Sequence, residues 1–102
     1  MSAICQPHAL DGEDAAGVAF MENRRGQVCI AFADAAWVRA EVIVIDKSSN
    51  SIHAVLHESV HFLGRVSDAM IAAFAASQEA LLTTLRPDGS IFELTAPVRC
   101  AS

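Results

Sequence analysis

Apolar and polar residues alternate along most of this chain, with a period of two more often than 3.6. From Gly17, the run GVAFMENRRGQVCIAFA sets two short apolar segments on either side of Asn23-Arg24-Arg25-Gly26. A short link containing glycine between such segments predicts a hairpin, with Val28, Ile30 and Phe32 on one face of its second strand. WVRAEVIVID, residues 37–46, is rich in β-branched side chains and reads as a strand. Its alternation places Arg39 and Glu41 opposite Val38, Ala40, Val42 and Val44. Asp46-Lys47-Ser48-Ser49-Asn50 is a turn cluster.

Further on, Ser67 suits a helix N-cap, Asp68 suits the first turn, and Ala69 to Ala76 favours a helix. This helix, Ser67 to Ser77, is apolar on every side and is therefore expected to be buried. ALLTTL and SIFELTAPV then flank Arg86-Pro87-Asp88-Gly89, and proline followed by glycine in so short a link predicts a second hairpin. The expected fold is mainly β, a β-rich α+β protein. It is a mostly antiparallel small sandwich or partly open barrel of six to seven strands with one short buried helix. Residues 1–16 are polar and acidic and read as an N-terminal arm, residues 17–98 as a single β-rich domain, and residues 99–102 as a C-terminal tail.

The segment from Ser51 to Val66 fits two periodicities. As a strand, it sets Ile52, Ala54, Leu56, Val60, Phe62, Gly64 and Val66 on one face and His53, Val55, His57, Ser59, His61, Leu63 and Arg65 on the other. Glu58 breaks that alternation and can mark a turn between two shorter strands, or a bulge. As a helix, it has Ser51 as a cap, Ile52, Val55, Leu56 and Leu63 at helical spacing, and Gly64 as a stop.

The choice matters because His57-Glu58-Ser59-Val60-His61 is an HExxH pentapeptide. On a helix, residues four apart face the same way and two imidazoles can hold one zinc, while the glutamate activates a metal-bound water. Over about ten residues the stretch resembles the active-site helix of the HExxH zinc peptidases. That resemblance implies His57 and His61 as ligands, Glu58 as general base, and Glu79 or Asp68 as a third ligand. Ser59 stands where that pattern has a bulky apolar residue, and Ser67 where one group of these enzymes has its third histidine. On a strand the two histidines lie about 13 Å apart and cannot share an ion. The strand is the reading adopted, with no metal or other cofactor expected. His53, His57 and His61 then form a polar face that can respond to pH.

Composition narrows the function classes. The chain has 102 residues, a single-domain length, of which 53% are hydrophobic, with a net charge of −5. Mean hydropathy is +0.36 and the pI about 5.1. The longest apolar run, Ala69 to Ala76, is far short of the ~20 residues that span a bilayer. The first residues lack the basic flank and apolar stretch of a secretory signal, so cytoplasmic synthesis and no membrane partner are expected. Only Arg24-Arg25 cluster, which disfavours nucleic acid. No glycine-rich phosphate loop occurs, and Asp11, Glu13 and Asp14 read as a solvated arm.

Three cysteines without a CxxC pair indicate neither a closed disulfide set nor a thiolate zinc site. Cys29 lies in an apolar strand, where with a histidine it is a minor candidate for a nucleophile. Cys5 and Cys100 lie near the two ends, where they could latch neighbouring subunits. Trp37, Phe20, Phe32, Phe62, Phe74 and Phe92 read as core.

A small, acidic, apolar-rich β protein with polar arms and sheet edges suits assembly. The expected function is a non-enzymatic structural subunit that packs against copies of itself or a larger protein, such as a virion or secretion-apparatus component. A very small zinc metallopeptidase and an acidic inhibitor or immunity protein are the alternatives.

Overall fold

The computed structural model describes residues 17–101. Seven strands form one mixed sheet curved into a half-barrel. They are β1 (Ala19–Glu22), β2 (Val28–Phe32), β3 (Val42–Asp46), β4 (Ser51–Leu56), β5 (Ser59–Arg65), β6 (Glu79–Leu85) and β7 (Ile91–Ala101), and the helix α1 (Asp68–Ala76) lies between β5 and β6. The order across the sheet is β1-β2-β6-β7-β3-β4-β5. Four neighbouring pairs are antiparallel, whereas β2–β6 and β3–β7 are parallel.

The long strand β7 belongs to both halves. Ile91 to Pro97 pair with β6, and Val98 to Ala101 pair with β3 on the other side. The chain therefore changes partners at Pro97, which has no N–H to give to a ladder. One consequence concerns the expected tail: Arg99 and Cys100 lie within β7, opposite Val44 and Ile45.

Both expected hairpins form, and so does the helix. Ser67 caps it by accepting a 3.2 Å hydrogen bond from the Met70 amide. Its large side chains Ile71 and Phe74 are buried, while Ala69, Ala72 and Ala76 on the outer side are exposed. Phe74 meets Phe20 of β1 edge-on, with ring centroids 6.1 Å apart. The core beneath includes Val28, Ile30, Ile43, Ile45, Ile52, Leu63 and Leu82, all fully buried. Thr84 is the polar exception in β6, and its Oγ1 donates to the Phe32 carbonyl at 2.7 Å.

Two details depart from the sequence reading. First, residues 37–41 are not strand: Ala35–Arg39 form a 3-10 helix, capped by Asp34, whose Oδ1 accepts from the Ala36 amide. This segment carries the chain from β2 to β3, which are not neighbours, with Val38 buried as its anchor. The alternation read from Val38 does not continue through it, so Ile43 and Ile45 face the core instead of Val42 and Val44.

Second, the Ser51–Val66 faces change over twice. A two-residue turn pairs Leu56 with Ser59 and Ala54 with His61, so that even and odd positions exchange faces. A bulge on β5 then leaves Leu63 between Phe62, which pairs with His53, and Gly64, which pairs with Ile52. Leu63 is thus buried, while Val60 is 64% exposed.

Phe74→Ala should lower the unfolding free energy by about 3–5 kcal/mol, because it removes a fully buried ring. Urea denaturation followed by Trp37 fluorescence measures this, and a loss below about 1 kcal/mol would mean that the helix is not anchored through Phe74.

Candidate functional site

The HExxH residues lie on a hairpin rather than on one helical face. His57 and Glu58 are the two central residues of the β4–β5 turn, with φ of 51° and 68°. Two positive φ values in a two-residue loop define a type I′ turn, whose twist matches that of the flanking strands. His61 is in β5, and its ring stands edge-on to Trp37 at 4.8 Å between centroids. Asp68 is in the first turn of α1, where it accepts from the Asn50 amide group. Glu79 starts β6 in the other half of the sheet. Among the described residues, no group of three or more His, Cys, Asp or Glu is placed to hold a metal ion. The histidine face is divided as well: His53 meets Phe62 edge-on at 5.6 Å between centroids, whereas His61 turns toward Trp37.

Serine and histidine do meet elsewhere. Ser51 Oγ lies 3.0 Å from His53 Nε2 and 2.7 Å from Ser49 Oγ. Ser51 is only 2% exposed, so these contacts satisfy a buried hydroxyl and leave no approach for a substrate. Next to it, Asp46 anchors the β3–β4 turn by accepting from the Ser48 hydroxyl at 2.6 Å and the Ser48 amide at 3.0 Å. Asp88 does the same for Ser90 in the β6–β7 turn, at 2.6 and 2.9 Å. In each case the serine hydroxyl, followed by the serine amide, holds the carboxyl below its ordinary range.

Cys29 is buried, and its Sγ lies 3.6 Å from the Gln27 carbonyl. Burial, chiefly, pushes its thiol up, and the negative charge of Glu93 acts in the same direction against a backbone hydrogen bond at Asn23. A protonated thiol is a poor nucleophile. Cys100 is exposed on β7, and Cys5 lies outside the described residues. Of the aromatics, Phe20, Phe32 and Phe74 are buried, while Trp37, Phe62 and Phe92 pack against the core from its margin. Arg86 and Arg39 stand over the Phe92 ring, at 4.5 and 5.4 Å from its centroid.

The strongest surface feature is one that the sequence reading did not single out. On β1, β2, β6 and β7, side chains of one parity face the core and those of the other face outward. Registers across these strands align the outward residues in rows. One row is Met21, Cys29, Leu81 and Thr95, and the next is Ala19, Ala31, Thr83 and Glu93. Leu85 and Ile91 pair in a third row. A Cβ added to Gly17 would meet the Ala33 Cβ at 2.9 Å, so only glycine fits there. Leu85 is 67% and Ile91 64% exposed. The one charged side chain in these three rows is Glu93. At the far end the face becomes polar, in an open cleft of about 580 Å³ lined by Arg25, Gln27, Ser77, Gln78, Glu79 and Pro97.

The signal for this face was present in the sequence. In ALLTTL and SIFEL both parities are apolar, with Leu85 and Ile91 bracketing the turn. It went unread because a strand apolar on both sides is equally consistent with burial between two layers.

Compared with protein-family models, curated proteins and solved structures, the chain matches none.

Two outcomes test the turns. His57→Asn combined with Glu58→Gly, the residues a type I′ turn prefers, should raise stability by about 1 kcal/mol in urea denaturation. A loss of stability would show that the native pair makes contacts the turn geometry does not account for. The Asp88 contribution should be fully present above the ordinary carboxyl pKa of 3.8 and lost as pH falls through its lowered folded value. The gap in thermal midpoint between wild type and Asp88→Asn, measured at pH 7 and again at pH 2, should therefore close in acid.

Proposed function

We propose that this protein is a non-enzymatic assembly subunit that packs against copies of itself or a larger protein through the convex face of β1, β2, β6 and β7. The observation that carries this reading is the set of three outward rows with Glu93 as their one charge. A sheet that keeps one face in water normally alternates apolar-in with polar-out, and an exposed apolar patch costs solubility unless something covers it. Leu85 and Ile91 stand side by side at the end of a hairpin, where two adjacent aliphatic side chains suit the centre of a docking contact. Most of the inner face of the same strands packs in the core, although Leu94 on that face is 40% exposed, and the outer face is the one that carries the Leu85–Ile91 pair.

Leu85→Glu combined with Ile91→Glu tests this reading. The pair should abolish association in sedimentation velocity and shift the chain out of any larger complex in size-fractionated native extract. The circular dichroism spectrum should stay unchanged, since neither side chain supports the core. A wild-type chain that stays monomeric at every concentration and enters no complex in extract would overturn the proposal.

A further inference from the structure

We infer that the polar cleft lined by Arg25 and Glu79 is a binding site for a small zwitterion, a molecule of amino-acid size that carries one carboxylate and one ammonium group. This goes beyond the docking role proposed above and does not depend on it.

The cleft has two walls, and hydrogen bonds fix each of them. One wall is the β1–β2 turn, which the Asn23 side chain organises. Its Oδ1 accepts from the Arg25 and Gln27 amides, both at 2.9 Å, and its Nδ2 donates to Gln27 Oε1 at 3.1 Å. The Gly26 amide closes the loop by donating to the Asn23 carbonyl at 3.0 Å. With its side-chain oxygen held by Asn23, Gln27 keeps both Nε2 hydrogens to offer. The other wall is the link from α1 to β6. There the Ser77 amide and hydroxyl donate to the Phe74 and Ala73 carbonyls, and the Gln78 carbonyl accepts from the Val98 amide. Glu79 then enters β6 opposite Pro97.

Opposite charges stand on these walls without meeting. Arg25 and Glu79 both line the cleft, yet no ion pair joins them, and among the described residues neither side chain has a hydrogen-bond partner. A guanidinium offers five donors in a planar fork that matches a carboxylate, and a glutamate accepts from an ammonium. The amide hydrogens of Gln27 reinforce the donor side. On the acceptor side, the C-terminal end of α1 at Ser77 adds partial negative charge, which favours a cation.

A simple ion would satisfy one wall and leave the other unpaired, whereas one molecule bearing both charges satisfies both. The field of the whole protein points the same way. A chain of net charge −5 repels a free anion from Arg25, but a zwitterion has no net charge to repel. The volume of about 580 Å³ lies in the range that holds small molecules. Because the cleft is open to water, each charge contact is weak alone, and the dissociation constant should be millimolar.

A magnetic resonance titration of the isotope-labelled chain tests this, with glycine, 4-aminobutyrate and 6-aminohexanoate as probes that separate the two charges by increasing lengths. At least one probe should give saturable shifts at Arg25 Nε, the Gln27 and Gln78 side-chain amides and the Glu79 amide. Acetate and methylammonium, each alone, should bind at least tenfold more weakly, since linking two contacts makes the second intramolecular. Arg25→Gln and Glu79→Gln should each weaken the best probe at least threefold. Glu41→Gln, which removes the same charge just before β3, should leave it unchanged, and unaltered thermal midpoints will show that the variants fold. No saturable shift with any probe up to about 50 mM, or shifts spread evenly over the surface, would overturn the inference. If acetate or methylammonium alone matches the best probe, the cleft holds a single ion and the inference also falls. Either failure leaves the role proposed for Leu85 and Ile91 untouched, because neither residue lines the cleft.

Discussion

The partner change along β7 organises this molecule. Eleven consecutive residues bond to β6 on one side as far as Pro97 and to β3 on the other from Val98 onward. Backbone polar groups that leave one ladder must enter another or meet water, and the Val98 amide makes the crossing by donating to the Gln78 carbonyl at 3.0 Å. A strand that pairs with one neighbour along its first part and with another along its second turns a corner between them, and the two parts of the sheet together form a half-barrel. That bend creates a concave side, which α1 and the 3-10 helix fill with Phe74, Ile71 and Val38.

From the bend follows the difference between the two convex surfaces. On the β3–β4–β5 side, Val44, His53, Val55 and Phe62 are half-buried against one another, and His53 is fixed by both Ser51 and Phe62. The β1–β2–β6–β7 side is simpler. Its rows run from a polar cleft, past Met21, Leu81 and Thr95 and then Ala19, Ala31, Thr83 and Glu93, to the exposed Leu85–Ile91 pair.

The pentapeptide around Glu58 shows how far local pattern reaches. Histidine and glutamate at HExxH spacing carry metal chemistry only when a helix brings positions one turn apart to the same side. Here Leu56 pairs with Ser59, and the two residues between them adopt left-handed backbone angles. The sequence does not favour that turn, since neither residue is asparagine or glycine, yet tertiary pairing of β3, β4 and β5 overrides the weak local preference. Glu58 as a break in the alternation was legible. The exchange of faces on either side of it was not, because the parity of β5 depends on the loop length and on the Leu63 bulge together.

Sequence alone determined the elements whose causes are local: the strand character of most segments, the Ser67 cap, the helix after it, and the hairpins at Asn23–Gly26 and Arg86–Gly89. These depend on side-chain shape, capping groups and turn residues within a few positions of one another. Tertiary structure decided the parallel pairs β2–β6 and β3–β7, the 3-10 crossover at Ala35–Arg39, and which face of each strand meets the core. Those pairings join segments about 50 residues apart, and where both faces of a strand are apolar, periodicity does not choose between them. The candidate site belongs to the second group. Met21, Ala31, Leu85 and Ile91 form one surface only after four strands, distant in the chain, have aligned their registers.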